Sequence, residues 1–94
     1  MSALVHGLAI TGASTVRALQ RHGHHVVVSD DRVDDTKRAS ADELGVDLIE
    51  GAPDPTAFEL VSPAPGVPET HPLVVAALAA GVPVLSEIEL AYRW

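Results

Sequence analysis

Three short stretches of this sequence hold residues whose types and spacing can do chemistry. The first is Gly7-Leu8-Ala9-Ile10-Thr11-Gly12, which follows an apolar run and opens a helical stretch. Small residues here allow a tight turn and let phosphate oxygens approach the free N–H groups at a helix start. The helix dipole adds about 0.3–1 kcal/mol for an anion. The spacing is that of the dinucleotide pattern G-x-G-x-x-G, but Ala9 replaces its middle glycine. A methyl there favours a looser phosphate contact over a close pyrophosphate pose. Thr11 and Ser14 supply hydroxyls that can bind phosphate or cap the helix, and a plain turn with Thr11 as cap explains the segment equally well.

The second stretch is Asp30-Asp31-Arg32, directly after His-Val-Val-Val-Ser. An acid at the tip of the second strand of such a fold meets a ribose hydroxyl or a base edge. An arginine two residues on can lay its guanidinium plane on a base. The competing reading is a solvated loop that caps the next helix. The third is Pro65-Gly66, where a glycine lets a flat ring lie on backbone; an ordinary proline-rich loop fits as well.

Other chemistry finds little support. His22, His24 and His25 surround a turn, but strand alternation sends His24 and His25 to opposite faces and no carboxylate lies near, so no metal site is expected there. His71 before Pro72 reads as a residue at a helix start. No G-x-x-x-x-G-K-[ST] phosphate loop occurs, and no nucleophile–base pair stands out, so no catalytic residue is assigned. The absence of cysteine removes disulfides and thiolate chemistry.

The elements that must position these stretches follow from periodicity. Ala3–His6 predicts a short strand and Thr11–His22 a helix whose inward face is Ile10, Val16 and Leu19, ended by Gly23. His25–Ser29 is the clearest strand, since three consecutive valines imply burial on both faces of a parallel sheet. Residues 30–35 read as a polar loop, 36–44 as a helix closed by Gly45, 46–49 as a third strand, and 51–56 as a loop or single turn. Residues 59–62 read as a weaker fourth strand. Residues 63–72 hold four of the seven prolines and read as irregular. Leu73–Ala80 predicts a helix, Val82–Ser86 a fifth strand, and Glu87–Arg93 a last helix that stops without an end signal, which suggests a longer protein. This alternation gives one α/β domain, an open, mostly parallel five-stranded sheet flanked by helices.

Composition bounds the partners. Ninety-four residues make one small domain, 47% apolar with only three aromatics, so its core is aliphatic. The net charge of −7 disfavours nucleic acid and anionic membrane. No segment has the roughly 20 apolar residues of a membrane span. The charge is uneven: residues 1–29 hold two arginines and no acid, for +2, while residues 30–94 hold 13 acids against four basic residues, for −9. An acid-free first third suits an anion near the N-terminus; chance and a buried strand explain it as well.

Gly7-Leu8-Ala9-Ile10-Thr11-Gly12-Ala13-Ser14, Val28-Ser29-Asp30-Asp31-Arg32, Pro65-Gly66-Val67-Pro68 with His71-Pro72, and Glu87-Ile88-Glu89-Leu90, in this order, resemble the N-terminal domain of the Mur ligases, and best its D-glutamate-adding members. The resemblance covers essentially the whole chain. It implies a Rossmann-like domain that binds the UDP end of UDP-N-acetylmuramoyl-L-alanine, within a cytoplasmic, three-domain enzyme of peptidoglycan synthesis. Central and C-terminal domains of the same chain would bring ATP with Mg2+ and D-glutamate. The full enzyme would form an acyl phosphate and then an amide bond; this segment alone would not be catalytic. By position, the resemblance puts the backbone N–H groups of Ile10 and Thr11 on the diphosphate. It puts Asp30 on the uracil N–H, and Arg32 and Gly66 on either side of the ring, with Asp31 beside them. Three residues depart from the family's usual pattern, Ala9 and Ser86 for glycine and Ala64 for serine. Two alternatives stay open, the nucleotide-binding half of an NAD(P)-dependent oxidoreductase and a stand-alone Rossmann-like regulatory module.

Overall fold

In a computed structural model the chain is described over residues 2–7 and 10–93, with Ile10, Thr11 and Arg93 described for backbone only. The elements are β1 (Ser2–His6), α1 (Ile10–Arg21), β2 (His25–Asp30), α2 (Asp35–Leu44), β3 (Asp47–Glu50), β4 (Leu60–Pro63), α3 (Pro72–Ala79) and α4 (Glu87–Arg93). A single 3-10 turn, Pro55–Ala57, sits between β3 and β4. The strands form a parallel sheet in the order β3-β2-β1-β4, with His6 opposite Ser29 and Pro63.

Alternate side chains of each strand feed opposite faces. Ala3, Val5, Val26, Val28 and Leu60 pack on one side with Val16 and Leu19 of α1, Ala41 of α2 and Leu90 of α4. Leu4, Val27 and Val61 pack on the other with Leu73 and Ala77 of α3 and with Phe58. The valine run of β2 thus serves both layers, as its sequence predicts. Burying each Leu or Val contributes about 1.5–3 kcal/mol. The fourth strand, weak in sequence, is buried and pairs directly with β1.

The sheet has four strands, not the five expected. Val82–Ser86 makes only one bridge, Val84 to Val61. Val61 N–H donates to the Pro83 carbonyl and Leu85 N–H to the Val61 carbonyl, each at 2.9 Å. In a parallel ladder the next rungs would need N–H donors at residues 63 and 83. Both are prolines, which have none, so pairing stops after one bridge.

The loops at the carboxyl ends of the strands are braced by caps. Asp34 accepts from Lys37 N–H at 2.8 Å and starts α2. The ring Nδ1 of His71 accepts from Leu73 N–H at 3.1 Å and starts α3, with Pro72 at the first helical position. Ser86 Oγ accepts from Glu89 N–H at 3.2 Å while Glu89 Oε1 accepts from Ser86 N–H at 3.1 Å, a reciprocal capping box before α4. These reciprocal bonds give the serine at 86 a structural role. Ser86→Ala is expected to cost roughly 1 kcal/mol and Ser86→Gly a few tenths, read from urea midpoints. Parent-like midpoints in both variants would show that the hydroxyl contributes nothing.

Candidate functional site

The ends of β1, β2 and β4, together with the start of α3, meet at one edge of the sheet. Ligands in open parallel sheets bind outside this edge. Gly7 N–H donates to the Ser29 carbonyl and Ala64 N–H to the His6 carbonyl, both at 2.8 Å, so three loops are stitched together at their roots. Gly7 lies at φ +96°, and a Cβ added there would stand 2.9 Å from the Ala64 methyl. The first loop therefore passes against the Pro65-Gly66 loop so closely that only glycine fits. The Ala64 methyl is what a side chain at position 7 would meet.

α1 begins at Ile10, one residue earlier than expected, which places Thr11 inside the first turn instead of at the cap. The first-turn N–H groups of Ile10 and Thr11 have no carbonyl four residues back within the helix. Leu8 and Ala9, and the side chains of Ile10 and Thr11, lie outside the described residues. Gly12 is buried. Ser14 is exposed and lines a groove between α1 and α4 with Thr15, Arg21 and Glu87.

Asp30 is the last residue of β2, not a loop residue as its sequence context suggests. Its side chain is only 15% exposed. Its Oδ1 accepts from Arg32 N–H at 3.2 Å and lies 3.2 Å from Lys37 Nζ. Lys37 Nζ also donates to the Arg32 carbonyl at 2.7 Å. Farther along, Val33 N–H donates to Glu50 Oε1 at 3.1 Å. The Asp30–Val33 turn is thus held from three sides, and Arg32 is exposed above it. Sequence reasoning missed Lys37. Its signal was Asp34 three residues earlier, a cap that fixes Lys37 in the first helical turn, beside the loop it braces.

Asp31 is 62% exposed in its side chain and takes a different set of partners. His71 Nε2 lies 2.9 and 3.0 Å from its two oxygens, and His6 Nε2 lies 3.4 Å away. Because Nδ1 of His71 accepts from Leu73, its Nε2 carries the proton in the neutral ring and donates to Asp31. The buried His6 bonds Ser29 Oγ through Nδ1 at 2.7 Å, and its ring sits 4.6 Å from that of His71. The bond from His71 holds the Asp31 carboxyl below its ordinary pKa, with the charges of the two histidines helping. Burial holds His6 below its ordinary value, against the pull of Asp31. His6 and Ser29 also escaped sequence reasoning. The signal lay in two polar residues ending two apolar strands.

Gly66 has φ +96° and open space where a Cβ would stand. It lines a cavity of about 310 Å³ with Pro63, Ala64, Val67, Ser86 and Glu87. The structure therefore gathers Asp30, at the tip of β2, and the loop residues Gly7, Asp31, Arg32 and Gly66 at one sheet edge, and sets Ser14 apart on the α1–α4 groove. Among the described residues no helix is long and apolar enough to cross a membrane.

Residues 1–86 match the family described as "Mur ligase MurD-like, N-terminal domain". The chain is similar to the UDP-N-acetylmuramoylalanine--D-glutamate ligase of Thermobifida fusca (strain YX), at 42% identity over 95% of this chain and 20% of that protein. It is 38% identical to the ligase of the same name from Geobacillus kaustophilus (strain HTA426), over 96% of this chain and 21% of that one. Its fold is similar to that of a pseudomurein peptide ligase type C from Methanothermus fervidus, with a TM-score of 0.77 at 20% identity over 99% of this chain and 20% of the other. The chain thus spans about a fifth of the length of the relatives it matches. With a family match over nearly its whole length, the chain belongs to the Mur ligases, as a MurD-like N-terminal domain.

Proposed function

We propose that the chain is the UDP-sugar-binding domain of a cytoplasmic, ATP-dependent ligase that joins D-glutamate to UDP-N-acetylmuramoyl-L-alanine in peptidoglycan synthesis. The observation that carries this reading is the family match over residues 1–86, with curated relatives that bear the name of that ligase. It disfavours the oxidoreductase and the stand-alone module.

The sheet edge supports a placement for the ligand. The diphosphate sits on the first-turn N–H groups of Ile10 and Thr11, after the Gly7–Gly12 turn. An anion there gains from the helix dipole and from a first third of chain without acids. Asp30 accepts from the uracil N–H, with Asp31 alongside. Arg32 lies over the ring, and the open space at Gly66 receives its other face. The chain's part in the reaction is to hold the nucleotide end of the substrate so that the alanine carboxylate reaches the other domains. No G-x-x-x-x-G-K-[ST] segment occurs in these residues, so they do not fit ATP with Mg2+, and those belong to the rest of the ligase.

Calorimetry of the folded chain with UDP-N-acetylmuramoyl-L-alanine, UDP and NAD tests the reading. Heat with the first two and none with NAD is expected. Binding of NAD alone, or no heat from UDP ligands at millimolar concentration with the circular dichroism of a folded domain, would overturn it.

A further inference from the structure

We propose that His6, Asp31 and His71 form a binding site for a divalent transition ion of the zinc class, distinct from the magnesium expected of the ligase's ATP chemistry. Three elements that are far apart in sequence deliver the donors: the end of β1, the loop after β2 and the cap of α3. One donor atom from each of His6, Asp31 and His71 lies within 4.8 Å of the other two. Ligand atoms around a tetrahedral zinc ion, bonded at 2.0–2.1 Å, stand about 3.3 Å apart. The two histidine–aspartate separations, 2.9 and 3.4 Å, already bracket that spacing. The third separation, between the two histidines, is within 4.8 Å and must shorten for both rings to hold one ion. Two imidazoles and one carboxylate suit zinc, cobalt(II) or nickel(II) and disfavour magnesium and calcium, which prefer oxygen.

The surroundings of the donors bear on affinity. A ring that binds metal through Nε2 donates from Nδ1 to an outer partner. His6 has this partner in the buried Ser29 hydroxyl at 2.7 Å. His71 does not, because its Nδ1 accepts from Leu73 N–H. An ion on His71 Nε2 displaces the proton that Asp31 now accepts. The ring then carries its proton on Nδ1, and Leu73 N–H loses its acceptor. Metal uptake thus works against the cap of α3 and lowers the affinity. Three protein donors leave a fourth position open at the exposed side of Asp31.

Cobalt(II) titration of the EDTA-treated, dialysed chain, without nucleotide, tests the proposal independently of the ligase reading. One equivalent is expected to produce visible d–d absorption, and zinc to raise Tm by about 5 °C or more at saturating concentration. The Leu73 amide resonance should shift on zinc addition. Asp31→Asn and His71→Asn should each weaken binding at least tenfold; asparagine at 71 can still cap α3, so the fold survives. A variant with His22→Gln, His24→Gln and His25→Gln should bind as the parent does, since His6 and His71 are its only remaining histidines. The proposal is overturned if 0.1 mM cobalt gives no absorption, if Asp31→Asn and His71→Asn bind unchanged, or if the triple variant loses the signal.

Discussion

Asp30→Ala is expected to weaken UDP binding by roughly 30-fold or more. A hydrogen bond to a charged group contributes about 1.5–3 kcal/mol, and each 1.4 kcal/mol is a factor of ten in affinity. The side chain has two duties on the proposed reading. It accepts from the base, and its Oδ1 holds Arg32 N–H and Lys37 Nζ, which shape the turn that carries Arg32. Removal therefore disturbs the ring's other contact too. Asp30→Asn keeps a neutral acceptor for Arg32 N–H and should fall between parent and alanine. Calorimetry with UDP on the three proteins gives the ranking. Parent-like affinity in Asp30→Ala would take Asp30 out of the site.

Gly7→Ala is expected to destabilise the domain by about 2–4 kcal/mol, a large part of a stability that is typically 5–15. Two costs add. Alanine at positive φ costs about 1–2 kcal/mol, and the new methyl would sit 2.9 Å from the Ala64 Cβ, where something must move. The second cost depends on Ala64 and the first does not. In a double-mutant cycle, Ala64→Gly should therefore recover about 1 kcal/mol in the Gly7→Ala background, with the φ cost left behind. Additive effects in denaturant unfolding would mean that the two loops do not press on each other.

Much of the architecture was legible because period and punctuation agreed. The β2 valines had to serve two apolar layers, and His71-Pro72 marked the start of α3. The fifth strand misled for a reason of register. Pro63 and Pro83 are plain in the sequence, but that they fall on the two rungs flanking Val61–Val84 depends on how the chain segments align in space. The candidate site divides the same way. Its glycines and the Asp30-Asp31-Arg32 run stand out because each is local. His6, Asp31 and His71 lie 25 and 40 residues apart, and only the β2-β1-β4 order brings their donor atoms within 4.8 Å of one another. The bracing by Lys37 stayed hidden because a lysine near a helix start usually reads as solvated surface.

The same two prolines have a consequence for how molecules meet one another. A bare strand at a sheet margin invites a neighbour's backbone to zip onto it and so seeds aggregates. Beside β4 that zipper is missing teeth on either side of its single closed link, and the opposite margin, β3, opens on Asp47 and closes on Glu50, whose like charges repel an identical copy. Both flanks of the sheet are thus poor templates for pairing with an identical copy.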